Sequence, residues 1–366
     1  MNILQVTSHL NIGGVTSHVL GLSKALAARG HRMIVASGGG QMEELLGRLG
    51  VEHWPSPLAT SADFSPQVFG AAKALIERAR TEHLDAVHAH TRVGQVVADR
   101  LGRDLGVPMV ATWHGFFRPN LGRRLWPCTG DMTIAISEPV RQHLMLDFHV
   151  PEERIRLVAH GIDPSPFETP ADPAAPQRLA DALRLPPDAA VAGTVARLVP
   201  AKGIDLLIRA LPAIRQQVPS AHLLLVGDGE ARAELEALAR SLGIAAAVRM
   251  TGVLPETSSA LALMRTFVFM PAHQEGFGLS LLEAMAAARP IVAVRRGKGS
   301  VWVLEQGAAG QLVEPDDPAA LARAVVRYLQ DGEAAAHAGA EARKLVKARF
   351  SLDRMAGEVE AIYEEL

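Results

Sequence analysis

The sequence predicts an α/β protein of two doubly wound parallel-sheet domains in tandem. Three observations carry this: short β-rich runs alternate with amphipathic stretches of helical length, a proline-rich break interrupts the alternation, and the alternation then restarts. A chain of 366 residues is also too long for one comfortable core and suits two domains of ~150 residues each.

In the first half, strands are expected at 3–7, 33–36, 86–89, 109–112, 132–136 and 155–158, with helices at 15–28, 66–82 and 93–105 between them. Residues 160–177 then hold five prolines, which continue neither a sheet ladder nor a helix interior, and the interdomain hinge is expected there. Strands resume at 190–196, 221–226, 247–251, 267–270 and 291–294, with helices at 204–217, 230–242 and 279–288. Terminal helices are expected at 318–347 and 352–365. The boundaries are thus 1–165 and 166–347, with 348–366 as a last helix able to pack back across the hinge. Two such halves facing across a cleft would place a ligand at the carboxyl ends of both sheets.

Hydrophobic residues make up 48% of the chain and charged residues 21%, enough for sizeable cores. A net charge of −2 argues against a nucleic-acid binder that relies on a bulk positive field. Cys128 is the only cysteine, so no intrachain disulfide forms and no oxidising compartment is required. The amino terminus lacks a basic, then apolar leader, and no run approaches ~20 uncharged apolar residues. The expected location is the cytoplasm.

Chemistry-bearing residues cluster where strands end. After the first strand, Gly13-Gly14 precede a helix; their amides can approach a phosphate, or the turn simply needs positive φ. Arg197 and Lys202, five apart, follow the first strand of the second half. A guanidinium can fork onto two phosphate oxygens and an ammonium adds a movable point charge, although two solvated surface cations would read the same way. The strongest signal is residues 271–286. Glu275 lies in a glycine-rich turn and Glu283 eight residues on, along a helix that Gly278 and Leu279 begin. The two carboxylates can reach one cleft from different heights and accept from sugar or ribose hydroxyls, with free amides at the helix start gripping further oxygens. Apolar Leu282, Ala284 and Met285 around Glu283 fit a solvated helix face poorly.

His88 and His90 share a strand face, but no cysteine or carboxylate accompanies them, so no metal site is expected. His114, beside Gly115 after another strand, is better placed to touch substrate, although a satisfied structural histidine would read the same way. Residues 116–126 (FFRPNLGRRLW) mix Arg118, Arg123 and Arg124 with aromatics and leucines. Such a patch suits anionic lipid head groups or a phosphorylated acceptor, or is an ordinary loop with snorkelling arginines.

Read together, these segments resemble the retaining glycosyltransferases of family 4, which have the two-Rossmann GT-B fold. The resemblance rests on Gly13-Gly14, His114-Gly115, Ser137-Glu138 and Gly161-Ile162-Asp163 with Phe167. It continues through Arg197 with Lys202, Gly227-Asp228-Gly229, Gly252, and Glu275 with Glu283. It implies a nucleotide-sugar donor, a UDP- or GDP-sugar, used as substrate with no cofactor and no metal. Arg197 and Lys202 would neutralise its diphosphate, helped by Gly14. Glu283 would bind the ribose, backbone near Val253 and Leu254 would frame the base, and Glu275 with the amides of Phe277, Gly278 and Leu279 would hold the sugar. His114 would lie near the reacting side, and the first domain would take a glycan or lipid-linked acceptor of cell-surface polysaccharide or lipopolysaccharide synthesis. Through residues 116–126, the enzyme would sit peripherally at the inner face of the cell membrane.

Two departures stand out. Where the family shows Gly-Gly-x-x-Glu, this chain reads Arg295-Arg296-Gly297-Lys298-Gly299-Ser300-Val301-Trp302, with Trp302 in place of the acid. The added cations suggest a sugar pocket suited to an unusual or acidic sugar. His160 stands where asparagine is common and is expected to be tolerated. The rival readings are a GT-B nucleotide-sugar epimerase, a nucleotide-sugar-binding protein without turnover, and a nicotinamide oxidoreductase. The last is weakened by the missing Gly-x-Gly-x-x-Gly.

Overall fold

The computed structural model describes residues 1–169, 172–305 and 309–366. They form two compact units, Met1–Gly161 with Leu352–Leu366, and Ile162–Ser351.

The first unit holds β1 (Asn2–Val6), β2 (Arg32–Ser37), β3 (Glu52–Pro55), β4 (Ala86–Ala89), β5 (Met109–Trp113), β6 (Met132–Ala135) and β7 (Ile155–Leu157) in one parallel sheet. Its order is β3-β2-β1-β4-β5-β6-β7, so the winding reverses between β1 and β4. The inner strands are buried on both faces, as parallel strands under helices must be. Thr91 accepts from the Gly94 amide to start the helix Arg92–Leu105, and Gly106 ends it at φ 67°. The core joins Ile3, Val35 and Ile134 to Leu22 and Leu26 of the helix Gly14–Ala28. Met355, Val359 and Ile362 of the carboxyl-terminal helix Leu352–Glu364 complete it.

The second unit repeats the plan with β8 (Ala190–Val195), β9 (Ala221–Val226), β10 (Val248–Met250), β11 (Thr266–Phe269), β12 (Ile291–Val294) and β13 (Gly310–Val313). The order β10-β9-β8-β11-β12-β13 reverses between β8 and β11. Leu207, Ile208 and Leu211 of the helix Ile204–Gln217 meet Leu321 and Val325 of the helix Pro318–Gln330 against this sheet.

Three expectations need correction. β3 and β13 lie outside the expected strands, both being short edge strands whose alternation is broken by proline or glycine. The expected helix 318–347 is two helices, Pro318–Gln330 and Gly332–Arg349. Asp331 ends the first and caps the second by accepting from the Ala334 amide. The proline-rich stretch carries a short helix, Ser165–Glu168, and the start of another, Ala175–Ala182.

Candidate active site

In the second unit, Arg197, Lys202 and Glu275 fall in the loops that follow β8 and β11, the adjacent strands where the sheet order reverses and where open α/β sheets take their ligands. Lys202 ends a single 3₁₀ turn, Pro200–Lys202. Gly203 follows at φ 63°, and a Cβ there would lie 2.3 Å from the Met270 carbonyl oxygen. Only glycine lets this turn close on the end of β11. The closure brings Lys202 Nζ within 2.5 Å of Glu275 Oε2, donating to it. Both side chains keep about a quarter of their surface exposed, 24% and 27%, so the pair is open to a ligand. The Arg197 side chain is exposed and makes no hydrogen bond or ion pair among the described residues. Its loop is pinned by the Leu198 amide donating to the Asp228 carbonyl at 2.9 Å.

Glu283 lies on the helix Leu279–Ala286 between the buried Leu282 and Ala284. Thr257 Oγ1 donates to its Oε2 at 2.8 Å. Burial raises its pKa to about 7, against the opposing hydrogen bond from Thr257. Phe277 is buried, while Val253 is 47% exposed and Leu254 partly so.

The divergent segment after β12 packs on the Glu275 loop. The Gly299 amide donates to the Glu275 carbonyl at 3.0 Å. A Cβ on Gly299 would lie 1.9 Å from the Gly276 carbonyl oxygen. Arg295 pairs with Glu305 and Glu314, and Arg296 with Asp316, so two of the three added cations are already neutralised by acids of this unit. Trp302 sits with the rings of Phe277 and Phe350, at 6.3 and 6.4 Å between centroids. Here the position where the resemblance expects an acid supports an aromatic cluster beside the Glu275 loop.

In the first unit, β4 and β5 deliver His90 and His114 to a cluster completed by His18 of the helix Gly14–Ala28 and by His160. His114 and His160 stack at 5.2 Å, and His18 Nδ1 lies 2.9 Å from His160 Nδ1. His160 is therefore a buried member of this cluster, which gives the asparagine departure a packing role. His88 and His90 do not act as a pair: Tyr363 Oη and Thr112 Oγ1 engage the two ring nitrogens of His88, at 2.5 and 2.7 Å. Burial lowers the pKa of His18 to about 3 and holds His88, His90, His114 and His160 well below the usual imidazole value, keeping the cluster neutral.

At Gly13-Gly14 the positive-φ reading does not hold. Gly13 is extended at φ 163°, and Gly14 is not left-handed. A Cβ on Gly13 would meet nothing within 4 Å, so the helix start is open rather than conformationally demanding.

In the loop 116–126, Asn120 caps the short helix Leu121–Leu125. Leu121 and Leu125 are 73% and 77% exposed. Arg118 and Arg124 are exposed, whereas Arg123 lies over the Phe117 ring at 4.8 Å. Asp99 accepts from Trp126 Nε1 at 3.0 Å, so an acid does reach this patch, from the helix Arg92–Leu105.

Residues 12–166 match the family model described as glycosyltransferase family 4, and residues 177–345 match glycosyl transferases group 1. A D-inositol 3-phosphate glycosyltransferase of Salinispora arenicola is 32% identical over 77% of this chain and 69% of its own length. The chain belongs to glycosyltransferase family 4. An uncharacterized glycosyltransferase of Methanocaldococcus jannaschii is 26% identical over 96% of this chain and 94% of its own. Among solved structures, Anabaena HepE in complex with UDP-glucose superposes with a TM-score of 0.86 at 22% identity, over 100% of both chains. The two parallel-sheet units thus have the GT-B fold.

In this family 4 glycosyltransferase Thr257, His18 and the packing of His160 carry no signal in the sequence. Thr257 lies in a polar loop of no motif. His18 reads as one more position on an amphipathic helix, and only the fold carries it to the ends of β4 and β5.

Proposed function

We propose that the chain is a retaining glycosyltransferase that moves a sugar from a nucleoside-diphosphate donor, a UDP- or GDP-sugar, to a hydroxyl of a glycan or lipid-linked acceptor. The observation that carries this reading is the Lys202–Glu275 pair at the switch point of the second sheet, with exposed Arg197 in the same loop as the lysine.

The donor's diphosphate would take Lys202 from Glu275 and bind Arg197, with the Gly13-Gly14 helix start adding amides. The released Glu275 carboxylate would accept from sugar hydroxyls, and Glu283, steadied by Thr257, from the ribose. Val253 and Leu254 would frame the base, and the amides of Phe277, Gly278 and Leu279 would hold the sugar. In the reaction, the acceptor oxygen bonds to the anomeric carbon on the face the diphosphate leaves. The carbon–oxygen bond to the diphosphate breaks, and the acceptor proton passes to the departing phosphate oxygen. Arg197 and Lys202 offset the charge that develops there, the role a divalent ion has in other transferases, so no metal is required at the diphosphate. His114, neutral in its cluster, would orient donor or acceptor.

The first unit would bind the acceptor. Cell-surface polysaccharide or lipopolysaccharide synthesis is the setting we favour, with the enzyme in the cytoplasm and touching anionic membrane through Arg118, Arg124 and the exposed leucines. No helix among the described residues is long and apolar enough to cross a membrane.

The test is a thermal-shift screen of nucleotide sugars with chelator present, followed by transfer assays with the donor found. A donor that stabilises the protein under chelator and is turned over supports the reading. Binding with no transfer to any acceptor would favour a protein without turnover. Conversion of the free donor would favour an epimerase.

A further inference from the structure

The histidine cluster of the first unit has a geometry that donor binding does not explain. One ring nitrogen from each of His18, His90 and His114 lies within 4.8 Å of the other two. His90 Nδ1 and His114 Nε2 are 3.4 Å apart. That is about the edge of a tetrahedron built on metal–nitrogen bonds of 2.0–2.1 Å. With the three nitrogens within 4.8 Å of one another, rotation of a ring about its Cβ–Cγ bond is available to bring them to this edge.

Two further facts point to a ligand. His18 is 6% exposed and its Nδ1 faces His160, yet its Nε2 has no hydrogen-bond partner among the described residues. Buried polar atoms are ordinarily satisfied, so this orphan, aimed into a cluster of imidazoles, needs an explanation. The three rings also come from three elements, the helix Gly14–Ala28 and the loops after β4 and β5, as expected of a site that ties a fold together. His160 supplies outer-shell contacts: its Nδ1 lies 2.9 Å from His18 Nδ1 and its Nε2 lies 3.4 Å from His114 Nδ1. Such contacts fix which ring nitrogen faces the metal. His88 takes no part, since Tyr363 and Thr112 engage both of its nitrogens.

We infer that His18, His90 and His114 form a zinc site in the first unit. Three imidazoles suit zinc among divalent ions and do not suit magnesium or calcium, which take oxygen. His114 is also the group that the proposed function sets near donor or acceptor, but metal binding is read with no donor present, so the two readings fail separately.

The test uses the full chain, stripped with chelator and titrated with cobalt(II) as a visible stand-in for zinc. The expected result is one equivalent of cobalt per chain with the visible bands of a tetrahedral nitrogen site, displaced by zinc, and a higher thermal midpoint with zinc than without. His18→Ala and His90→Ala should each weaken binding at least about tenfold, whereas His83→Ala, at a 90% exposed side chain, should not. Should the alanine variants fail to fold, X-ray absorption of the zinc-loaded natural chain should count three imidazole nitrogens. Absence of the cobalt bands at millimolar metal, affinity unchanged in the folded variants, or a zinc shell of mixed surface ligands would overturn the assignment.

Discussion

Lys202 and Glu275 neutralise each other at 2.5 Å across the two loops that follow adjacent strands β8 and β11. Lys202 is thus held in an internal ion pair, and under the proposed function a donor diphosphate has to exchange one anion for another.

That exchange has a directional consequence. Glu275→Gln removes the competitor for Lys202 and should tighten binding of the bare nucleoside diphosphate, by at most about fivefold because the pair is partly solvated. It should lower transfer because the sugar loses a carboxylate acceptor. Isothermal titration with the diphosphate alone, beside kcat/KM for the sugar donor, separates the two effects. Weaker diphosphate binding in the variant would contradict the exchange.

Arg197→Ala and Lys202→Ala should each reduce kcat/KM by about 10²–10³, the usual cost of losing one charge-stabilising group. Far-UV circular dichroism should be unchanged, since Arg197 is exposed and the lysine ion pair is worth little in partly exposed surroundings. Turnover intact in the double variant would remove the charge-offsetting role proposed for the two cations.

Glu283 should make the unliganded protein's stability fall with rising pH. Its carboxyl titrates near 7 when folded against an ordinary 4.5, so the folded state holds an extra proton between those values. The associated stability is full below the lower value and lost as pH rises through the upper one. Glu283→Gln should flatten the decline in thermal midpoint between pH 5 and 8, with a difference of roughly 1–3 kcal/mol. Parallel melting profiles for the two proteins would show that Glu283 is solvated.

Gly203→Ala should destabilise the second unit by roughly 2–4 kcal/mol, because the substitution adds a positive-φ penalty to a 2.3 Å approach to the Met270 carbonyl. Denaturant melts check this. A larger loss in donor affinity than in stability is not expected of a purely structural glycine, and would place the damage in the Lys202 turn.

Arg118→Glu with Arg124→Glu should abolish co-sedimentation with anionic vesicles, while Arg123→Glu should do less because that guanidinium already lies over Phe117. Absence of vesicle binding by the natural chain would end the membrane reading.

Much of this architecture was legible in the residues. Buried parallel strands announce themselves as short apolar runs, and β4, β9 and β12 begin and end where those runs do. Edge strands do not: β3 reads Glu-His-Trp-Pro, with only Trp54 fully inside. The site divides the same way. Arg197, Lys202, Glu275 and Glu283 stand in glycine-marked turns and helix starts whose spacing is local. Thr257 meets Glu283 across 26 positions, and His18 meets His160 across 142, contacts that no local pattern encodes. The Trp302 departure was visible as a missing acid, but its aromatic neighbours Phe277 and Phe350 are brought together only by the fold.

The helix Leu352–Glu364 gives Met355, Val359, Ile362 and Tyr363 to the core formed by the first residues of the chain. During synthesis the first unit therefore lacks a wall until after all residues of the second unit have been made. The earlier-made half waits, with its apolar face uncovered, for residues 352–364 to emerge. Chaperone demand should track that interval, and a stop codon just before Leu352 should spoil the half translated first.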